Sequence, residues 1–153
     1  MFNKKGFTFI EVVVVMGIVS LLFAISAPDL FKLQDRNVLQ NTTTEIVSLL
    51  RQQQFNSMNS PQVYGVHFEQ SKYTLYTGSE FVEGKVENTA HELSYPIAIS
   101  SVLFPGGDVR FASGSGEIIG YSSTANTITL TDTVHLIEKT IKLNSLGVPL
   151  VQN

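Results

Sequence analysis

The sequence predicts an α+β fold: one long N-terminal helix, its first half transmembrane, packed on an antiparallel β-sheet head. Three observations predict it. Phe7 to Ala27 form an apolar run, FTFIEVVVVMGIVSLLFAISA. Beyond it, Leu39, Thr43, Ile46 and Leu50 recur at spacings of 4, 3 and 4, one face of a helix. From Gln62 onward the pattern changes to short β-rich stretches divided by Gly, Ser, Asn and Asp. A helix followed by a series of strands sorts as α+β. The 153 residues allow one head domain with a real core. Cysteine is absent, which excludes disulfides, thiolate metal sites and a cysteine nucleophile.

The apolar run comes first. As a helix its 21 residues span about 31 Å at about 1.5 Å per residue, enough to cross the hydrocarbon core of a bilayer. Lys4 and Lys5 precede it and a polar chain follows, so the positive-inside rule predicts a cytoplasmic N-terminus and an exported head. The expected location is the inner or cytoplasmic membrane, single-pass. A plain anchor and a removable secretory signal, cut before Ala27 after the small residues Ala24 and Ser26, are competing readings. Neither accounts for Glu11, the one ionisable residue of the run. A carboxylate in an apolar helix costs about 2.5–3.5 kcal/mol on insertion scales, so it calls for a partner and a purpose.

Residues 28–60 read as the amphipathic continuation of the helix. Pro28 either distorts the helix or ends it. Leu49 widens the apolar stripe, and the helix is expected to reach about Met58, where Asn59, Ser60 and Pro61 supply stop signals. Asn41 to Thr44 are poor helix formers and weaken its middle.

Residues 61–153 form the β-rich head. Gln62–Phe68 and Lys72–Thr77 predict a hairpin around Glu69, Gln70 and Ser71; Val109–Ala112, Gly116–Tyr121, Thr127–Thr131 and Val134–Leu143 read as further strands. Asp132-Thr133 is a tight turn between the last two, and the polar, acidic Gly78–Ser94 reads as a loop or an irregular edge.

The string Lys4-Lys5-Gly6-Phe7-Thr8-Phe9-Ile10-Glu11, with the apolar run behind it, resembles the type IV pilin and pseudopilin superfamily. The resemblance implies that residues 1–6 are a leader peptide, cut by a prepilin peptidase between Gly6 and Phe7, with methylation of the new N-terminus at Phe7. It implies that Glu11 pairs with the N-terminal amine of a neighbouring pilin or pseudopilin subunit and selects axial register during filament assembly. Burial of that pair neutralises two charges that are each costly alone. Pro28 falls where pilin helices commonly carry a distorting proline. LLRQQQFNSMNSPQVYGVHFEQSKYTLY and the closing IKLNSLGVPL are most similar to the GspH/FimT-type minor pseudopilins. The implied function is a minor pilin or pseudopilin subunit of a type IV pilus-like or type II secretion filament. The alternative is a filament-tip binding module for DNA uptake, adhesion or an exported protein.

The head carries no catalytic signature, and the expectation is that the protein is not an enzyme and uses no cofactor. His67, His91 and His135 lie in separate segments without metal-ligand spacing, so no metal site is expected. His67 and His135 fall in strand patterns. Gly114-Ser115-Gly116 and Pro105-Gly106-Gly107-Asp108 precede no helix and read as turns. Asp108 and Asp132 lack the alternating acidic loop of a calcium site. Pro61–Asn153 carries five basic against nine acidic residues, a net charge of −4. A nucleic acid would find only Lys72, Lys85, Arg110, Lys139 and Lys142, a balance that argues against that partner.

Overall fold

The structure, a computed structural model, describes residues 8–152; within 24–37 it describes the backbone alone. Among the described residues one α-helix, α1, runs Phe9–Met58 and is followed by eight β-strands. Two compact units share the chain, Met1–Arg36 and Asn37–Asn153.

In the first unit every described side chain from Thr8 to Phe23 is exposed. The helix there is apolar on all sides, the pattern of a helix whose surroundings are themselves apolar. The Ser20 hydroxyl is satisfied internally, donating to the Met16 carbonyl at 2.8 Å. Among the described residues no helix is long and apolar enough to cross a membrane. The expected span extended from Phe7 to Ala27; Phe7 and the side chains of Ala24 to Ala27 lie outside the described residues. The same holds for Gly6 and for the side chain of Pro28, and with it the expected kink.

In the second unit α1 ends at Met58, where the stop signals predict. Leu39, Thr43, Ile46 and Leu50 are buried, as their spacing predicts, and Val47, Gln53 and Ser57 extend the stripe. The weak helix formers in the middle do not break it. Thr43 and Thr44 donate to the Leu39 and Gln40 carbonyls at 2.7 and 2.8 Å, so both hydroxyls are satisfied within the helix.

Strands β1 (Tyr64–Phe68), β2 (Lys72–Thr77), β3 (Thr89–Glu92) and β5 (Asp108–Phe111) make one antiparallel sheet in the order β3-β2-β1-β5. Strands β4 (Ile97–Val102), β6 (Thr127–Asp132), β7 (Ile137–Leu143) and β8 (Pro149–Gln152) make the other, in the order β4-β6-β7-β8. One hydrophobic cluster joins the helix stripe to both sheets: Val66, Val109 and Phe111 from the first, Ile99, Ile128, Leu130, Ile141 and Leu143 from the second.

The structure corrects several expectations. Gly116–Tyr121 is not a strand but makes one bridge, Ile118 to Phe111, because Gly116 and Gly120 hold φ of +70° and +72°. β7 begins at Ile137 instead of Val134, which places His135 in a turn and not a strand. The polar Gly78–Ser94 stretch, expected as a loop or an irregular edge, does hold an edge strand, β3, and two strands beyond the expected ones, β4 and β8, complete the second sheet.

Candidate functional site

Glu11 sits in the first turn of α1. Thr8 precedes the helix, and its backbone N–H donates to the Glu11 Oε2 carboxylate at 3.4 Å, while its carbonyl accepts from the Glu11 and Val12 N–H groups at 3.1 and 3.3 Å. This is the backbone half of a capping box, Thr-x-x-Glu, in which an acidic side chain at the third helical position reaches back to the N-cap. The carboxylate also lies at the positive end of the helix dipole. Glu11 thus has a local partner in the single chain and remains exposed to a second one. The signal was present in the sequence as Thr8-Phe9-Ile10-Glu11. Gly6 and Phe7, the expected cleavage junction, lie outside the described residues.

The histidines of the head are accounted for by the fold. His67 and Asp108 are direct cross-strand partners on β1 and β5, with Nδ1 to Oδ1 at 2.9 Å. Phe81, from the β2–β3 connection, stacks on the His67 ring at 4.0 Å and meets Tyr76 edge-on at 5.6 Å. Tyr76 in turn lies over Gly65: an added Cβ there would stand 2.3 Å from its ring. Burial, then the charge of Asp108, raises the pKa of the Tyr76 phenol. Its Oη and Arg110 Nε are buried without hydrogen-bond geometry to a protein group. Arg110 Nη1 donates to the Ser79 carbonyl at 2.9 Å and helps hold the connection down. His91 stacks on Tyr73, whose phenol donates to Glu45 Oε1 on α1 at 2.8 Å. Burial and then that carboxylate raise the Tyr73 pKa.

Asp132 organises the turn between β6 and β7. Fully buried, it accepts from the backbone N–H of Val134 and His135 at 2.9 and 3.0 Å through Oδ1, and its Oδ2 meets His135 Nδ1 at 3.0 Å. Burial alone would raise its pKa, but these bonds outweigh it and hold the carboxyl below the ordinary value. Asp108 and Asp132 are thereby committed to separate histidines, and no group of metal-ligating side chains occurs among the described residues.

Three lysines of the head are also engaged. Lys72 pairs with Glu69 at 3.0 Å and Lys85 with Glu87 at 2.7 Å; Lys139 donates to Gln40. The Lys72 ammonium has its pKa raised by the hydrogen bond and charge of Glu69. A cleft of about 320 Å³ beneath the β2–β3 connection is lined by Lys72, Thr74, Phe81, Glu83, Lys85 and Asn88, a mixture of signs rather than a basic stripe.

Residues 1–27 match the family described as the prokaryotic N-terminal methylation motif. The matched stretch contains Gly6, Phe7 and Glu11 and ends where the apolar run ends. No curated protein matches the chain, and no solved structure matches it.

Proposed function

We propose, from the N-terminal methylation motif of the type IV pilin superfamily that this chain carries, that it is a minor pilin or pseudopilin subunit. The motif supports a type IV pilin-like protein processed by a prepilin peptidase. The finer reading is that cleavage falls between Gly6 and Phe7, that Phe7 is methylated, and that Phe7 to Ala27 first hold the subunit in the inner or cytoplasmic membrane. The same helix then packs against equivalent helices in a type IV pilus-like or type II secretion filament.

The observation that carries this reading is the combination at the start of α1: a carboxylate exposed at the end of a helix that is apolar on every side. An apolar helix needs no charge to sit in lipid and is penalised for having one. Glu11 is therefore explained by a partner that arrives later, the freed amine of a neighbouring subunit. Its contact with the Thr8 N–H supplies a holding position until then. Residues 28–60 connect the anchor to the head, 61–153. The helix-to-hairpin string and the closing Gly turn support the GspH/FimT-type assignment. The pairing of Lys72 and Lys85 with carboxylates weighs against DNA as a ligand of the head.

The test is the intact mass and N-terminal sequence of the membrane-purified protein, co-expressed with and without a prepilin peptidase. The expected result is a peptidase-dependent start at Phe7 with one added methyl group. A start at Ala27, or an unprocessed Met1 whatever the peptidase, would remove the reading.

A further inference from the structure

The connection between β2 and β3 lies across the face of the first sheet that is turned away from the hydrophobic cluster, and it is fixed there at several points. Phe81 stacks on His67, and the Ser79 carbonyl accepts from Arg110 Nη1. Further along, the Val82 carbonyl accepts from Asn88 Nδ2 at 2.8 Å, and the Asn88 N–H donates to the Lys85 carbonyl at 3.0 Å. The cleft of about 320 Å³ beneath the connection thus has walls held by the fold of the head itself. Sheet and connection both belong to the unit Asn37–Asn153.

Thr74 and Ala90, cross-strand partners on β2 and β3, form the floor. Lys72 lies two residues before Thr74 and shares its face of the sheet. Phe81 supplies an apolar wall, and Glu83 and Asn88 supply polar ones. Where a longer side chain would fill the space, the Ala90 methyl leaves it open.

Asn88 Oδ1 is buried without a hydrogen-bond partner among the described residues. Turning the amide round does not cure this, because its oxygen would then face the Val82 carbonyl. The wall therefore holds an acceptor in want of a donor, and a buried acceptor left unpaired is costly. Thr74 adds a hydroxyl, which both donates and accepts, and the Lys72 ammonium has N–H donors beyond the one given to Glu69.

The charges decide the kind of ligand. Both ammonium groups lining the cleft already hold carboxylates, Lys72 with Glu69 at 3.0 Å and Lys85 with Glu87 at 2.7 Å. An anion would have to displace one of these carboxylates and would meet Glu83, while a cation would sit beside two ammonium groups. A neutral molecule rich in both donors and acceptors avoids both costs. An apolar wall among polar groups suits a ring that carries C–H on its faces and hydroxyls around its rim. The volume lies at the small end for a ligand site, room for one ring rather than an extended chain.

We propose that this cleft binds an uncharged sugar, one pyranose ring packed on Phe81 over the Thr74–Ala90 floor, its hydroxyls donating to Asn88 Oδ1 and Glu83 and accepting from Lys72. The proposal is separate from the processing and assembly reading, which uses none of these residues.

The test uses the full chain in phosphatidylcholine nanodiscs, which carry no sugar, and saturation-transfer NMR with the methyl glycosides of glucose, galactose, mannose and N-acetylglucosamine. The expected result is transfer from the protein to the ring protons of one or more of them. Ala90→Leu, at an exposed position of the edge strand, fills the cleft above the floor and should abolish the signal. Thr74→Val keeps the shape without the hydroxyl and should weaken binding about fivefold, the worth of one hydrogen bond. Melting temperatures of both variants should match that of the parent chain, which separates loss of the site from loss of the fold.

Silence from all these glycosides overturns the proposal, as does a signal that Ala90→Leu leaves in place. Stronger transfer to glucuronic acid or to glucosamine than to any neutral glycoside overturns it in favour of an anion or a cation. Stronger transfer to N-acetylalanine methylamide overturns it in favour of a peptide. Each of these failures leaves the reading of Gly6 and Phe7 intact, since the intact mass of the chain tests that separately.

Discussion

At the scale of single residues, Glu11 has two roles that substitutions can separate. Glutamine also serves at the third position of a capping box. Glu11→Gln should therefore keep the helix start while abolishing the charge, whereas Glu11→Ala removes both. Both variants should insert and be cleaved, and both should be strongly depleted, by far more than tenfold, from sheared filaments relative to membranes. A buried amine left without its partner costs roughly 3–5 kcal/mol. Normal incorporation of Glu11→Gln would show that capping, not charge pairing, is what the carboxylate provides. Asp132 is the second residue with a sharp expectation. Asp132→Ala leaves the Val134 and His135 N–H groups without their acceptor and should destabilise the protein by roughly 2–4 kcal/mol in urea denaturation. Because the folded carboxyl titrates below its unfolded value of about 3.9, its contribution is complete above that pH and is lost as pH falls through the folded pKa. Asp132→Asn should accordingly flatten the acid side of the stability profile. Tyr73 and Tyr76 work in the opposite direction. Their raised pKa values mean that stability present below pH about 10 is lost as pH rises further. Ultraviolet titration of the five tyrosines should therefore show two that ionise only with alkaline unfolding.

At the scale of elements, the helix was the most legible part of the sequence, because its buried positions repeat with the helical period. Leu39, Thr43, Ile46 and Leu50 lie on the face that packs on the sheets. Leu50→Ala should cost about 2–5 kcal/mol by the cavity it leaves, measurable by urea denaturation. Strands whose pattern alternates were legible too: β2 occupies the predicted residues, and β6 extends one residue beyond them. The missed or misplaced elements share a physical cause. β3 has little buried surface to mark it, since it is an edge strand exposed along most of its length. β4 contains an irregular step in its pairing between Ile99 and Ser101, which breaks a period-two pattern. The stretch Gly116–Tyr121 has the residue types of a strand, but its two left-handed glycines set the backbone. Phe81 could not be placed from sequence at all. Its role depends on His67 and Tyr76, which are brought together only by strand register. At the N-terminus the lesson is different: Thr8-x-x-Glu11 was readable as a capping box, but the same glutamate also belongs to the pilin resemblance.

At the scale of the whole molecule, the division of labour runs along the chain. The described side chains at the apolar start of α1, Thr8 to Phe23, are all exposed, while residues from Asn37 onward bury a common core. The head's charge of −4 over Pro61–Asn153 and the pairing of Lys72 and Lys85 with carboxylates predict no salt-dependent retention of the full protein on immobilised duplex DNA. Retention at low salt that fades as salt rises would instead move the head toward the nucleic-acid reading.

The interleaving of the two sheets has a consequence for export. Along the chain β3 joins the first sheet, β4 the second, β5 the first again and β6 the second. β4 has β6 as its only neighbour in the sheet, and the helix stripe shares its core with Ile128, Leu130, Ile141 and Leu143. A chain threaded outward with its head residues emerging in sequence order therefore keeps β4 unpaired, and much of the helix stripe uncovered, until its last quarter has crossed. On the proposed route across the membrane, chains ended before β6 would lack a closed core and should be cut by added protease faster than the full chain. Closure of the core thus depends on strands that lie at the very end of the chain.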